Sequence, residues 1–317
     1  MALLTVLLLV AVMSAVCVVI LDDVRFAVRR TTNIETLSQA QWYAAGAESL
    51  ARRQVALLAA ADPARTPLEP RWNGRVVNFP IEAGQVRVAV RDGQACFNLN
   101  SLVVGQGEDL IANPEGQAQL VALGAALGLP RSRMAAVAAA LADWMDGDSD
   151  PLPNGGEDAR YAGLATPYRT GGVMLADVSE MRAVGGVDDA LYRRLRSHVC
   201  ALPTTRQALN VNTLTPDQAP LLQMLSGGAL SRGAAQAAIA ARPAAGWASV
   251  DAFWAQPALK DFSSDERVRG QTTVLTSFFD LRVDVEQGGA HAVRTALIRA
   301  SADGQARTVI RRWTPEE

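Results

Sequence analysis

Apolar residues fill the first 21 positions, Met1 to Leu21, with no charge among them. Thr5, Ser14 and Cys17 are the only side chains there with any polar character. A helix rises about 1.5 Å per residue, so this run spans roughly 30 Å, the depth of a bilayer's hydrocarbon core. It has no basic flank before it and is too long for an ordinary secretory h-region, so an uncleaved membrane or assembly helix is expected. Asp22, Asp23, Arg25, Arg29 and Arg30 follow, and no proline occurs before Pro63. The rod therefore continues as one helix into a polar half. From Asn33 to Ala61, Leu37, Ala40, Ala44, Ala47, Ala51, Val55 and Leu58 recur at steps of three or four, a helical stripe. Trp42 and Tyr43 lie in this segment, and both are expected to pack the helix onto a folded body. Pro63, Pro67 and Pro70 end it.

The period then changes to two. Arg75–Pro80 reads as a strand and Glu82 to Gly84 as a turn, and Gln85–Arg91 places valine at alternate positions. Asp92-Gly93 signals a hairpin, with Cys96 to Leu99 returning as a third short strand. After Asn100 the pattern is helical. Asn113 followed by Pro114 predicts an N-cap with proline at N1. Helices fit Glu115–Leu127, Arg131–Met145, Leu175–Val184, Asp188–His198, Pro216–Leu225, Ser231–Ala241 and Ser249–Ala255. Strand signals resume at Thr272: Val274–Glu286, Ala290–Arg299 and Arg307–Trp313, separated by Gly288-Gly289 and Asp303-Gly304. The simplest arrangement is one antiparallel sheet built from both ends of this pattern and interrupted by a helical insertion. The expected organisation is a helix over 1–62, a sheet domain from 63–102 and 272–317, and an inserted α-helical domain over 103–271. The fold class is α+β. Two related stretches, Asn98 to Leu102 and Asn210 to Leu214, place asparagines where extended chain feeds helices, a structural role.

Composition narrows the function. The net charge is −2, Lys260 is the only lysine, and none lies near the glycine turn at Ser226 to Ala229 that a helix-hairpin-helix would need. Nucleic acid is therefore not an expected partner. With His198 and His291 as the only histidines, neither a histidine zinc site nor a Ser-His-Asp triad is legible, and no nucleophile–base pair points to an enzyme. Cys96 and Cys200 can pair in an oxidising compartment or remain two buried thiols. The most specific chemistry lies between Asp146 and Asp158. Counting Asp146 as position 1 puts Asp148, Asp150, Leu152, Asn154 and Glu157 at positions 3, 5, 7, 9 and 12 of a calcium loop, Leu152 through its carbonyl. Pro151 replaces the usual glycine at position 6, and a solvated acidic loop is the alternative.

Together these stretches resemble the K-type minor pseudopilins (GspK) of the bacterial type II secretion system. The resemblance runs in order through the N-terminal apolar run, QAQWYAAGAESLARR, CFNLNSL, LADWMDGDSDPLPNGGEDARYAG, PYRTGGVMLADVSEMRAV and LNVNTLTPDQAPLL. It implies a type IV pilin-like fold with a large helical insertion. It implies a precursor cut by prepilin peptidase, with Met1 as the first mature, N-methylated residue. It implies an inner-membrane anchor with a periplasmic body, and a place at the pseudopilus tip with the I and J type minor pseudopilins. The H type and the major pseudopilin are further candidate partners. Family members bind calcium in the helical domain, as one or two ions, and a second ion would account for Asp158 beside Glu157. The periplasmic setting favours a Cys96–Cys200 disulfide. Most pilin-like subunits carry glutamate at position five to pair with a neighbour's terminal amine; Thr5 removes that charge, as expected of a subunit with none beyond it. The alternative class is a single-pass membrane-anchored periplasmic binding protein, distinguished by binding a small ligand as a lone monomer.

Overall fold

The computed structural model describes residues 2–107 and 109–313. One helix, α1, runs unbroken over Ala2–Ala61. Its first buried residue is Ala40, and from there Ala44, Glu48, Ala51, Val55 and Ala59 face the sheet. Small side chains on this stripe let the helix axis lie close over the strands beneath.

The sheet has five antiparallel strands. β1 (Val76–Ile81) and β2 (Gly84–Asp92) form a hairpin around Glu82 and Ala83. β2 then pairs with the strand Phe278–Gln287, in register from Gly84 opposite Gln287 to Asp92 opposite Phe279. Ala290–Ala300 and Ala306–Arg312 complete the sheet, with β1 and Ala306–Arg312 at its edges. Gly288 and Gly289 both have positive φ, the backbone a two-residue hairpin turn demands. Gly84 is needed for a different reason: a Cβ there would collide with the carbonyl of Glu286 on the next strand. Phe279, Leu281, Val283 and Val285 alternate inward against α1, with Asp280, Arg282, Asp284 and Glu286 on the other face. Within this apolar layer lies one ion cluster. The Glu48 carboxylate, 3% exposed, accepts from Arg294 Nε at 2.5 Å, Arg311 Nη2 at 2.7 Å and Thr308 Oγ1 at 2.7 Å.

A second core, independent of the first, is contiguous from Phe97 to Val274. α2 (Pro114–Ala126) starts where the Asn113 side chain accepts from the Glu115 amide, with Pro114 at its first position. α3 (Arg131–Met145) is the centre of this body and is buried throughout from Val137. α4 (Asp158–Ala162) is a short turn that the sequence pattern does not signal. The expected helix over Leu175–Val184 is instead a 3-10 segment, Val178–Ala183, opened by a capping box between Asp177 and Glu180.

Two expectations fail at the junction. Cys96 to Leu99 is not a third strand of the meander. Phe97–Asn98 pairs in parallel with Val199–Cys200, deep in the helical body. Residues 97–102 thus belong to the insertion's core. Asp92 is not a hairpin corner either. It is a buried joint between the two bodies, its Oδ2 accepting from Asn210 Nδ2 at 2.7 Å, Thr213 Oγ1 at 2.9 Å and Thr276 Oγ1 at 2.7 Å. Burial pushes its carboxyl up, against four hydrogen bonds that favour the charged form. A third correction concerns α1: Tyr43 packs on the sheet core, but Trp42 is 75% exposed. The two are adjacent on a helix, so they point about 100° apart, and the sheet covers the Tyr43 side.

Candidate metal centre and the junction beside it

The acidic loop joins the end of α3 to the start of α4. Asp146 caps α3, its amide donating to the Ala142 carbonyl at 2.9 Å. Asp146, Asp148 and Glu157 each turn one carboxylate oxygen into a common space, all within 4.8 Å of one another. Asp146 and Glu157 are buried while Asp148 is exposed, so the cluster opens to solvent on one side. Among the described residues, Asp146 Oδ1 and Glu157 Oε1 are buried with no hydrogen-bond partner. Burial first, then the charges of Asp148 and Asp143, pushes the Asp146 carboxyl up to about 6. Burial, then Asp146, Asp143 and Asp148, pushes Glu157 up to about 7.

The other candidates sit elsewhere. Asp150 and Asn154 are exposed on the loop, and the Asp150 amide donates to Asp148 Oδ1 at 2.8 Å. Asn154 takes φ 68°, a left-handed conformation that asparagine tolerates. The Leu152 carbonyl accepts from the Gly155 amide at 2.8 Å inside the same turn. Asp158 faces away, accepting from the Thr170 amide at 2.9 Å and its hydroxyl at 3.0 Å, and these bonds hold its carboxyl below the ordinary range. The loop therefore does not wrap in the EF-hand manner, in keeping with Pro151 at the position where that wrap needs glycine.

Asp143 was not among the sequence candidates. It is wholly buried one helical turn before Asp146, and its carboxylate accepts from the Leu152 amide at 3.1 Å and the Gly156 amide at 2.7 Å. It holds the loop from beneath, and its i, i+3 spacing to Asp146 was the available signal. Trp144, Tyr161 and Tyr168 pack ring against ring at 5.2–6.0 Å and bolt α3 to α4 and the loop beyond.

Three hard oxygen donors, two of them buried and otherwise unsatisfied, are the donor type that a hard divalent cation takes. Near the junction, Cys96 and Cys200 form a disulfide with Cα atoms 5.8 Å apart. It spans the parallel pair at the sheet-facing side of the helical body.

Comparison with known proteins fits this architecture. Two family models, both described as type II secretion system (T2SS), protein K, match residues 95–204 and 209–274. The chain belongs to the type II secretion system protein K family. It is 34% identical to the type II secretion system protein K of Pectobacterium carotovorum over 98% of this chain and 94% of that protein. It is 39% identical to that of Klebsiella pneumoniae over 82% of this chain and 79% of that one. Among solved structures it resembles a chain of the GspK-GspI-GspJ complex from the enterotoxigenic Escherichia coli type 2 secretion system. The TM-score is 0.80 with 35% identity, covering 90% of this chain and 100% of that chain. The protein K family thus supplies the pilin-like α+β frame, a long helix over an antiparallel sheet with an inserted helical body. The two family models together span the core that runs from Phe97 to Val274. Of the assembly positions, Thr5 lies in the membrane-length part of α1 with its hydroxyl donating to the Ala2 carbonyl at 2.8 Å. Met1 lies outside the described residues.

Proposed function

We propose that this chain is a minor pseudopilin that joins I and J type subunits at the tip of the pseudopilus and supports export of folded proteins. Its role is structural, with no reaction catalysed. The observation that carries this is the shape itself, a 60-residue helix with a bulky body beside it, matched to a chain of a solved three-protein complex. The first 21 residues anchor it in the inner membrane, and the body stands in the periplasm. Prepilin peptidase is a further partner. Thr5 places no carboxylate where a neighbour's terminal amine would be needed to neutralise it. The three carboxylates of Asp146, Asp148 and Glu157 hold calcium, which neutralises their mutual repulsion and fixes the loop between α3 and α4. Asp143 orients that loop. Co-expression of the full chain with I and J type subunits, followed by detergent extraction and affinity recovery, tests the assembly. A stoichiometric three-component complex is expected; recovery of this chain alone overturns the reading.

A further inference from the structure

α1 meets the sheet along a stripe that is almost uniform. Its buried residues are Ala40, Ala44, Glu48, Ala51, Val55 and Ala59, at steps of four, four, three, four and four. Apart from Glu48 these are alanines and one valine. Apolar contact is non-directional and follows the area covered. Side chains this alike therefore fix which face of the helix lies on the sheet more firmly than where the helix stands along its own axis.

One competing position is close to the native one. If α1 moves four residues along its axis, about 6 Å, then Thr36, Ala40, Ala44, Ala47, Ala51 and Val55 stand where the six buried residues now stand. The steps are identical, every residue is small or apolar, and Ala47 already packs against the same core. The accompanying turn of about 40° stays within the breadth of a helix's buried face. The chain beyond the helix leaves slack for the move. It is tied to the sheet at Thr66, whose amide donates to the Val274 carbonyl at 3.0 Å and whose hydroxyl accepts from the Thr276 amide at 2.7 Å. Before that point the Ala64 amide and the Arg65 guanidinium both bond locally, to Asp62.

Glu48 is what the shifted position lacks. Its carboxylate is cradled by two neighbouring strands, by Arg294 from Ala290–Ala300 and by Thr308 and Arg311 from Ala306–Arg312. A shift of about 6 Å takes it out of that cradle and sets the methyl group of Ala44 against the buried Arg294 guanidinium. A further polar contact of this face, Gln287 Nε2 donating to Gln39 Oε1 at 3.3 Å, is long and uncharged. Buried polar groups can specify register at some expense in stability, as a single asparagine does in a coiled coil. We infer that Glu48 is a positioning residue: its ion cluster selects one axial register of α1 on the sheet, and so sets how far the body stands from the N-terminal apolar run.

Spin labels on the full chain in detergent test this. They are carried by Phe26→Cys and Ala302→Cys in a Cys17→Ala background, with Cys96 and Cys200 held in their disulfide. Position 26 is exposed on α1 well before the sheet, and position 302 lies in the turn whose Gly304 sits beside Ala60. The labels are therefore separated mainly along the helix axis, by about 50 Å. Moving the acid by four residues, Ala44→Glu with Glu48→Ala, restores the cluster only in the shifted register. The distance should then fall by about 6 Å as a single population. Glu48→Ala with Arg294→Met removes both buried charges, an exchange that protein interiors tolerate, and should give two distances about 6 Å apart. A single native distance in either variant overturns the inference and leaves Glu48 a stabilising residue alone. If the relocated acid prevents folding, the charge-free variant decides by the same measure. If neither variant folds, the cluster maintains the fold and not its register, and the inference falls.

Discussion

The two bodies of this molecule handle buried acid in opposite ways. In the sheet body, Glu48 is enclosed by Arg294, Arg311 and Thr308, and those bonds hold its carboxyl down at about 2 against the pull of burial. In the helical body, Asp146 and Glu157 lie beside each other and Asp148, and burial with their mutual charges drives both carboxyls up. One body satisfies its charges internally. The other leaves one oxygen each of Asp146 and Glu157 without a hydrogen-bond partner among the described residues. A buried carboxylate is thus no guide to function until its partners are counted.

The largest expected effect comes from breaking the satisfied cluster. Glu48→Ala leaves Arg294 buried without its anion and should cost about 3–5 kcal/mol in chemical denaturation. Glu48→Gln should cost less, because it keeps a hydrogen-bond acceptor. Next is the disulfide, which closes a 104-residue separation within the helical body. Cys96→Ala with Cys200→Ala should lower stability by about 3 kcal/mol, read by urea melts with and without reductant. Calcium comes third. Raising it a hundredfold above Kd should stabilise the folded state by about 2.7 kcal/mol, and Asp146→Asn with Glu157→Gln should abolish the difference between calcium and EDTA.

Acid sharpens the contrast further. Glu48 has a folded value below its ordinary 4.5, so its contribution is fully present above pH 4.5 and is lost as pH falls towards 2. Asp146 and Glu157 have folded values of about 6 and about 7, above their ordinary 3.8 and 4.5. Without metal the native state holds more protons than the unfolded chain between those limits, so stability in EDTA should fall as pH rises from about 4 to about 7. Saturating calcium should remove that fall. Thermal melts across this range, repeated in Glu48→Gln and in the Asp146→Asn, Glu157→Gln double variant, assign each slope to its body. The smallest effect is at a helix end: Asn113→Ala removes the cap of α2 and should cost about 1 kcal/mol.

Much of this was legible in the sequence, for identifiable reasons. The alternation in Gln85–Arg91 and the helical steps through Ala40, Ala44, Ala51 and Val55 are periodic, and period is a local property; Leu37, placed in the same stripe, is exposed. The Asn113-Pro114 start of α2 is equally local. What was not legible depends on distant partners. Glu48 reads like any helix-surface acid until Arg294 and Arg311 arrive from the far end of the chain. Cys96 to Leu99 has strand-like composition, and only its pairing with Val199–Cys200 shows which body owns it. Asp143 lies inside the expected helix Arg131–Met145, and its hydrogen bonds to Leu152 and Gly156 depend on how the loop folds back. Asp150 and Asn154 fit the spacing rule but lie exposed on the loop, outside the group that Asp146, Asp148 and Glu157 form.

The pairing of β2 with Phe278–Gln287 has a consequence for how the chain reaches this state. As the chain emerges from its N-terminus, the β1–β2 hairpin appears early, with an unpaired edge at β2 and no sheet to join. The strand that completes it, Phe278–Gln287, lies near the end of the chain. The helical body lies wholly between the two, with a core of its own, and its closure carries Asp92 and Thr276 to within 2.7 Å. Forming that body first shortens the effective loop that separates the two halves of the sheet, and so reduces the entropy cost of joining them. The insertion is thereby a template for the sheet that it interrupts. Until it closes, the β2 edge is the part of the nascent protein most in need of a chaperone.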